Sequence, residues 1–240
     1  MRLIDVFNGD ADGICALLQL RLDSSQQQQS VLVTGIKRDI QLLKKVQPSA
    51  ADKITVLDIS LDKNRTDLER ILNTGATVFY VDHHFCGDIP AADNLTALID
   101  TDPNICTSLL VNSYLHGKYK LWAITGAFGD NLKASARDLA QQTDLNQVQI
   151  EQLNNLGIML NYNGSGADTS DMHFHPEALY KHLLPYTSPL EFINDTQSVY
   201  QQLESGYQED ISKTQNLQAE YTTSKVALFI LPDEPWARRM

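Results

Sequence analysis

Two aspartates separated by one residue lie near the start of the chain, in residues 7–13, FNGDADG. Asp10 and Asp12 follow the apolar run RLIDV, which is typical of a buried strand, and precede ICALLQLRL, which is typical of a helix. Carboxylates this close repel each other unless a positive charge lies between them. A metal ion or a counter-ion at a phosphate-binding loop would supply that charge. A solvated turn, or Asp12 as a helix N-cap, are the alternatives.

Further ionisable residues follow other apolar runs: Asp58 in ITVLDIS, Asp82, His83 and His84 in VFYVDHH, and Asp130 in ITGAFGDN. In an open α/β sheet the crevice beyond the carboxyl ends of the strands is where ligands bind. Each motif alone is more typical of a cap, a turn or a surface histidine pair. Their combination at matching strand ends predicts one site.

Several aspartates and a histidine around one cleft need cations to stay ionised. We expect two divalent ions bridged by one carboxylate. Oxygen-rich shells with an imidazole suit Mn²⁺, with Mg²⁺ or iron as alternatives, whereas zinc more typically takes cysteine or additional histidines.

The remaining sequence predicts the elements that position these residues. Short β-branched runs alternate with amphipathic helices in the first half, which indicates an α/β fold with a mostly parallel sheet flanked by helices. The predicted strands are 2–8, 30–36, 53–60, 76–84 and 95–100, and the helices between them are 13–23, 38–46 and 63–75. The second half is predicted to be helical over 106–117, 119–128, 133–142, 146–160 and 176–184, with polar loops at 24–29 and 161–171.

Composition limits the classes of function. The chain has 240 residues, 42% of them hydrophobic, and a formal net charge of −11. This acidity disfavours a clamp on long duplex nucleic acid. A signal peptide and an 18-residue apolar run are both lacking, and the three cysteines form no zinc-like pair. We therefore expect a cytoplasmic protein with reduced thiols and no membrane contact; the sequence leaves the oligomeric state open.

The motifs DADG (10–13), Asp58 in VLDIS, DHH (82–84) and GAFGD (126–130) resemble, in order and spacing, those of the DHH phosphoesterase superfamily. That superfamily includes RecJ-type single-strand exonucleases, nanoRNA and cyclic-dinucleotide phosphodiesterases, and family II inorganic pyrophosphatases. The motifs cover residues 1 to about 135. One departure is that many members have a histidine shortly before the Asp-x-Asp pair, where this chain has Val6, Phe7 and Asn8.

The resemblance implies roles for the site residues. Asp10 is expected to bind one metal and Asp12 the other, with Asp58 bridging both. The second metal's shell would be completed by His83 and Asp130. Catalytic roles are implied for Asp82, which would orient a neighbouring imidazole, and for His84, which would face the phosphate. Asn8 is expected to contact substrate or the first metal's shell, with turn capping as the alternative.

The resemblance also implies a domain organisation. Residues 1–195 are expected to form the DHH catalytic domain, with an α/β core over 1–135 and a helical part over 136–195. A long connecting helix would cover 196–224, and 225–240 would start a truncated C-terminal substrate-binding domain with a strand at 225–232.

The predicted activity is hydrolysis of phosphodiester bonds in short or single-stranded nucleic acids or dinucleotides, by a hydroxide bridging two metals. Inorganic pyrophosphatase or polyphosphatase activity is one alternative. A catalytically silent nucleotide-binding module is the other.

Overall fold

The computed structural model describes residues 1–24 and 29–240 of the chain. Most of the polar loop predicted at 24–29 therefore lies outside the described residues. Five strands form one parallel sheet in the order β2-β1-β3-β4-β5. They are β1 (Leu3–Phe7), β2 (Val31–Val33), β3 (Lys53–Leu57), β4 (Thr77–Asp82) and β5 (Leu95–Ile99). The predicted α/β fold with a mostly parallel sheet flanked by helices is confirmed.

Ten helices are seen in the described residues. They are α1 (Ala11–Asp23), α2 (Leu61–Leu72), α3 (Thr107–Tyr114), α4 (Lys120–Gly129), α5 (Lys133–Ala140), α6 (Gln147–Gly164), α7 (Pro176–Leu183), α8 (Pro189–Asn194), α9 (Tyr200–Thr214) and α10 (Pro235–Arg239). None of them combines the length and apolar character needed to cross a membrane. The second half of the chain is helical, as the sequence predicts.

Both faces of the sheet are buried, which explains why the strands are apolar throughout rather than alternating. Phe7, Leu57 and Val81 face a core shared with α1 and α6. The neighbouring residues Val6 and Val56 face the opposite core, shared with α2. The sheet is therefore a rigid middle layer, and its carboxyl edge provides fixed anchor points for a site.

The prediction of a helix over 38–46 is wrong. Only Leu42–Lys45 forms a 3-10 turn. The cause is Asn64 on α2, whose side chain accepts a hydrogen bond from the Leu43 amide at 3.2 Å and donates to the Ile40 carbonyl at 2.7 Å. Backbone groups that a helix would pair internally are thus paired with another element.

The loop predicted at 161–171 is also partly wrong, because α6 continues to Gly164. The polar side chain of Asn163 finds partners inside the fold: it donates to the Phe174 carbonyl at 2.8 Å and accepts from the Phe174 amide at 2.9 Å. The polar residue Asn163 therefore serves buried hydrogen bonds within a helix and does not indicate an irregular backbone.

The connecting helix is shorter than the predicted 196–224, since α9 covers only Tyr200–Thr214. Asp195 accepts hydrogen bonds from the Gln197 and Ser198 amides, and this turn separates α8 from α9. The strand predicted at 225–232 shrinks to β7 (Ala227–Leu228), which pairs antiparallel with β6 (Tyr221–Thr222). The division of the chain into domains stays a prediction.

Candidate metal centre

The predicted site residues converge at the carboxyl edge of the sheet. Asn8, Asp10 and Asp12 follow β1, Asp58 follows β3, and Asp82 ends β4, with His83 and His84 directly after it. Asp130 arrives from the helical half as the residue that ends α4. Four chain segments therefore deliver acidic and imidazole side chains to one place.

Asp10 is the N-cap of α1, so the alternative interpretation of Asp12 as that cap is wrong. Its Oδ1 accepts hydrogen bonds from the amides of Asp12 at 3.1 Å and Gly13 at 3.2 Å. The helix can start this close to β1 because residue 13 is glycine: a Cβ there would lie 2.3 Å from the Asn8 carbonyl oxygen. Capping fixes one oxygen of Asp10 and leaves the other for the cleft.

Asp12 is bound by the N-terminus of α3. Its Oδ2 accepts from the Thr107 amide and its Oδ1 from the Ser108 amide, both at 2.8 Å. Its side chain is fully buried, and Oδ2 lies 3.9 Å from His83 Nε2. The helix end stabilises the negative charge of Asp12 and holds its orientation.

Asp58 lies at the centre of the cluster with a left-handed backbone, φ 59°. Its amide donates to the Val81 carbonyl, and its Oδ1 accepts from the Thr107 hydroxyl at 3.2 Å. The same Oδ1 is 3.4 Å from His83 Nε2. Burial, followed by the charges of Asp12 and Asp10, raises the pKa of Asp58 well above its ordinary value. A cation bound beside Asp58 would offset this repulsion and favour its ionised form.

The two histidines are held differently. His83 Nε2 faces Asp58, Asp12 and, at 3.8 Å, Asp130 Oδ2. His84 instead turns its Nδ1 to Asp82 Oδ1 at 2.8 Å, and that hydrogen bond, partly opposed by burial, raises the pKa of His84. Asp82 is fully buried, and its contact with His84 is the kind that its predicted orienting role requires.

Asp130 completes the cluster from the side of the helices. Burial first, and then the charges of Asp12 and Asp10, raise its pKa to about 6. Its backbone is placed by close helix packing, since a Cβ on the preceding Gly129 would lie 2.2 Å from that of Ala11. Only glycine allows α4 to approach α1 this closely, which brings Asp130 within reach of the β-strand residues.

These residues fit a divalent ion. Ligand atoms of Asp12, His83 and Asp130 lie within 4.8 Å of one another, as do those of Asp58, His83 and His84. Asn8 is 6% exposed, and its Oδ1 is buried without a hydrogen-bond partner among the described residues. It lines a cavity of about 90 Å³ together with Asp10 and Asp58. Carboxylate, amide and imidazole donors of this kind suit Mn²⁺ or Mg²⁺.

The sequence reasoning missed Lys37. It lies in the loop after β2, and its ammonium is 2.8 Å from Asp10 Oδ2 and 2.7 Å from the side-chain oxygen of Asn161 on α6. The signal was present, because Lys37 directly follows the strand predicted at 30–36 and so belongs to the same sheet edge as the aspartates. The Thr107 and Ser108 amides were also missed, because every residue except proline has a backbone amide and the residue type does not show which amides bind the site.

Two further histidines, His173 and His175, lie outside the site. His173 Nε2 lies 3.0 Å from Asp210 Oδ2, and His175 accepts from the Glu177 amide at the start of α7. Both are structural. The basic pair at residues 238 and 239 is likewise structural: Arg238 pairs with Asp171 and Arg239 with Asp210.

Comparisons with known proteins give a fold but no family assignment. No protein-family model and no curated protein matches the chain. Among solved structures, "exonuclease RecJ bound to manganese" matches with a TM-score of 0.56 and 15% identity, over 88% of this chain and 62% of that chain. The chain thus spans less than two thirds of that protein.

Two further structures match at lower TM-scores. RecJ in complex with Mn²⁺ from Thermus thermophilus gives 0.42 with 16% identity, over 89% of this chain and 36% of that chain. An uncharacterized protein from Helicobacter pylori gives 0.39 with 13% identity, over 93% of this chain and 73% of that chain. What the comparisons establish is a RecJ-like fold.

Proposed function

We propose that the protein is a divalent-metal-dependent phosphoesterase that hydrolyses phosphodiester bonds in short or single-stranded nucleic acids or dinucleotides. The observation that carries the proposal is the convergence of Asp12, Asp58, His83 and Asp130 at the carboxyl edge of a parallel sheet. A solvated acidic surface would not be buried to this degree, with Asp12 and Asp58 at 1% and 2% exposure. The fold shared with a manganese-bound exonuclease supports the same activity.

We propose that the centre binds two ions, as the resemblance implies. Asp12, His83 and Asp130 would hold one, Asp10 the other, and Asp58 would bridge them. Mn²⁺ suits this mixture best and Mg²⁺ is the second choice. Bound divalent ions lower the pKa of water and offset charge on a phosphoryl group, which is the chemistry that the reaction requires.

The protein's own groups supply the remaining tasks. His84 is 44% exposed in its side chain, and its Nδ1 faces the buried Asp82 carboxylate. Because that contact favours the protonated ring, His84 can donate a hydrogen bond to a phosphate oxygen or a proton to the leaving oxygen. Thr107 and Ser108 hold Asp12 in place, so the ligand geometry does not depend on a flexible loop.

A cavity of about 400 Å³ beside the centre favours a nucleotide over pyrophosphate. It is lined by Asn131, next to Asp130, by Lys133 and Asn161, and by the aromatic ring of Tyr207. This volume suits a nucleoside, with side-chain amides that can bind a base edge and an ammonium that can bind the backbone. Pyrophosphate would leave the cavity unfilled.

The test compares metal-dependent turnover of a short oligonucleotide, a dinucleotide and pyrophosphate, with Mn²⁺ and then Mg²⁺. Asp58→Asn is the informative variant, because asparagine tolerates the left-handed backbone of residue 58 whereas alanine does so poorly. We expect Asp58→Asn and His83→Ala to lose at least about a thousandfold in kcat/KM on the oligonucleotide while keeping the wild-type circular dichroism spectrum.

Asp138→Asn on the exposed face of α5 serves as the matched control and should keep full activity. Preferential turnover of pyrophosphate would replace the substrate assignment with the pyrophosphatase alternative. Nucleotide binding without turnover in any divalent metal would favour the silent module. Near-normal oligonucleotide hydrolysis by Asp58→Asn would contradict the metal centre itself.

A further inference from the structure

Lys37 occupies a defined place inside the candidate metal centre. Its ammonium contacts Asp10 Oδ2 at 2.8 Å and Asn161 Oδ1 at 2.7 Å, and it lies 3.9 Å from Asp130 Oδ1. The loop that carries it is also fixed, because Asn8 donates from Nδ2 to the Lys37 carbonyl at 3.3 Å. Among the ion pairs of residues 1–24 and 29–240, it is the one lysine or arginine that reaches the centre's carboxylates.

This ammonium makes its closest carboxylate contact at the Asp10 end of the centre. Asp10 Oδ1 caps α1, and Lys37 binds Oδ2, so both oxygens have partners. Asp10 is absent from both groups of donors that lie close enough to share an ion among the described residues. Those groups draw on Asp12, Asp58, Asp130 and the two histidines. Of these residues Asp130 also lies within ion-pair distance of Lys37, at 3.9 Å, but Asp10 is nearer, at 2.8 Å. The centre therefore has one end prepared for a metal and one end neutralised by a side chain.

An ion at the Asp10 end would find a shell of oxygen donors but must displace a charge to reach it. Asp10, Asp58 and Asn8 line the same small cavity as Lys37, and the Oδ1 of Asn8 has no hydrogen-bond partner in the described part of the chain. Two cations cannot share Asp10 Oδ2 without strong repulsion at such short range. The lysine ammonium is a compact point charge on a flexible stem, so it can leave, whereas a bidentate arginine would leave less readily.

We propose that Lys37 competes with the second divalent ion for Asp10, so that the two ions bind with widely separated affinities. The ion at Asp12, His83 and Asp130 binds first, and the ion at Asp10 binds only when the metal concentration suffices to displace the ammonium. The inference rests on the proposed function in assuming a divalent metal centre. It makes Lys37 the residue that sets how much free metal the fully loaded centre requires.

The test is a Mn²⁺ titration of the whole chain by isothermal calorimetry, with bound Mn²⁺ counted by electron paramagnetic resonance. In the wild type we expect two separate binding phases. In Lys37→Met the weaker phase should tighten by at least about tenfold, because the competing charge is gone, while the tighter phase stays within about threefold of wild type. Lys37→Arg should keep the two phases apart.

Lys45→Met is the matched control. Lys45 makes the same kind of contact, 2.6 Å from Asp39 Oδ2, but lies outside the centre, so both phases should be unchanged. Lys37→Gln gives the same comparison if the methionine variant does not fold.

Two ions of equal affinity in the wild type would overturn the proposal, and so would a Lys37→Met titration that matches Lys45→Met. In either case the metal-dependent activity would still stand. Absence of any Mn²⁺ binding to the wild type would overturn the inference and the proposed function together.

Discussion

His84 Nδ1 lies 2.8 Å from Asp82 Oδ1, and this contact distinguishes His84 from the neighbouring His83. The carboxylate at the end of β4 is fully buried and contacts the imidazole of His84. Because an ionised carboxylate only accepts hydrogen bonds, the contact favours the form of the ring that carries a proton on Nδ1. His83, one residue earlier, turns its Nε2 to the carboxylates.

Asp82→Asn should lower the pKa of His84. The hydrogen bond to the Asp82 carboxylate is the largest contribution that raises this pKa, and a neutral amide cannot replace the charge. The measurement is the pH dependence of the imidazole proton shifts in the metal-free protein, with the histidines outside the centre as internal controls. An unchanged His84 titration in this variant would show that the contact does not govern the ring's charge.

Asp130→Asn should stabilise the metal-free protein at pH 7 but not at pH 4. The pKa of Asp130 rises from 3.8 to about 6 on folding. A carboxyl group with a raised folded-state pKa contributes stability that is complete below its unfolded value and is lost as the pH rises through the folded value. The asparagine variant avoids that loss, so we expect a gain on the order of 2 kcal/mol at pH 7.

Urea unfolding at both pH values measures this effect, with Asp138→Asn as the exposed control. Saturating Mn²⁺ should reverse the order of stability, because the wild type then gains binding free energy that the variant lacks. A metal-free variant that is less stable than wild type at pH 7 would argue against repulsion at this carboxylate.

Arg21→Leu should destabilise the fold by about 3 to 5 kcal/mol. Asp5 is a fully buried carboxylate in the middle of β1, and Arg21 on α1 binds both of its oxygens, through Nε at 2.8 Å on Oδ2 and through a terminal nitrogen on Oδ1. Without the guanidinium a buried charge is left unpaired. Chemical unfolding should show this loss, and the double variant Asp5→Val, Arg21→Leu should recover more than half of it.

Arg137→Leu on the exposed face of α5 is the control and should change stability by less than about 1 kcal/mol. A cost for Arg21→Leu equal to that of the control would mean that the pair contributes nothing to the fold.

The candidate site could be predicted largely because its residues follow strands. Asp58 and the DHH run come after apolar β-branched segments, and parallel strands bring their carboxyl ends to one edge. Asp130, which arrives on a helix, could be included because it ends the apolar run ITGAFGDN and because GAFGD resembles a motif of the superfamily. Residue type and strand position were sufficient to group Asp10, Asp12, Asp58 and the DHH run at one edge, whereas the approach of Asp130 depends on how α4 packs against α1.

What the sequence did not reveal depends on tertiary contacts. Asn64 pairs with the backbone of residues 40–43, where the local pattern favours a helix. The hydrogen bonds of Asn163 accompany the continuation of α6 through a region of loop-like composition. In the sequence, Lys37 cannot be distinguished from any other lysine that follows a strand. Its ammonium is held by Asn161, which lies 124 residues later in the chain. Interactions over such sequence distances leave no periodic signal.

The two hydrogen bonds from α3 to Asp12 also make this helix end a reporter of the site. The Thr107 and Ser108 amide protons point at a carboxylate that a bound cation would polarise, so their solvent exchange rates and amide shifts should respond to metal alone. Metal occupancy of the centre could then be followed at these two backbone amides in the absence of any substrate.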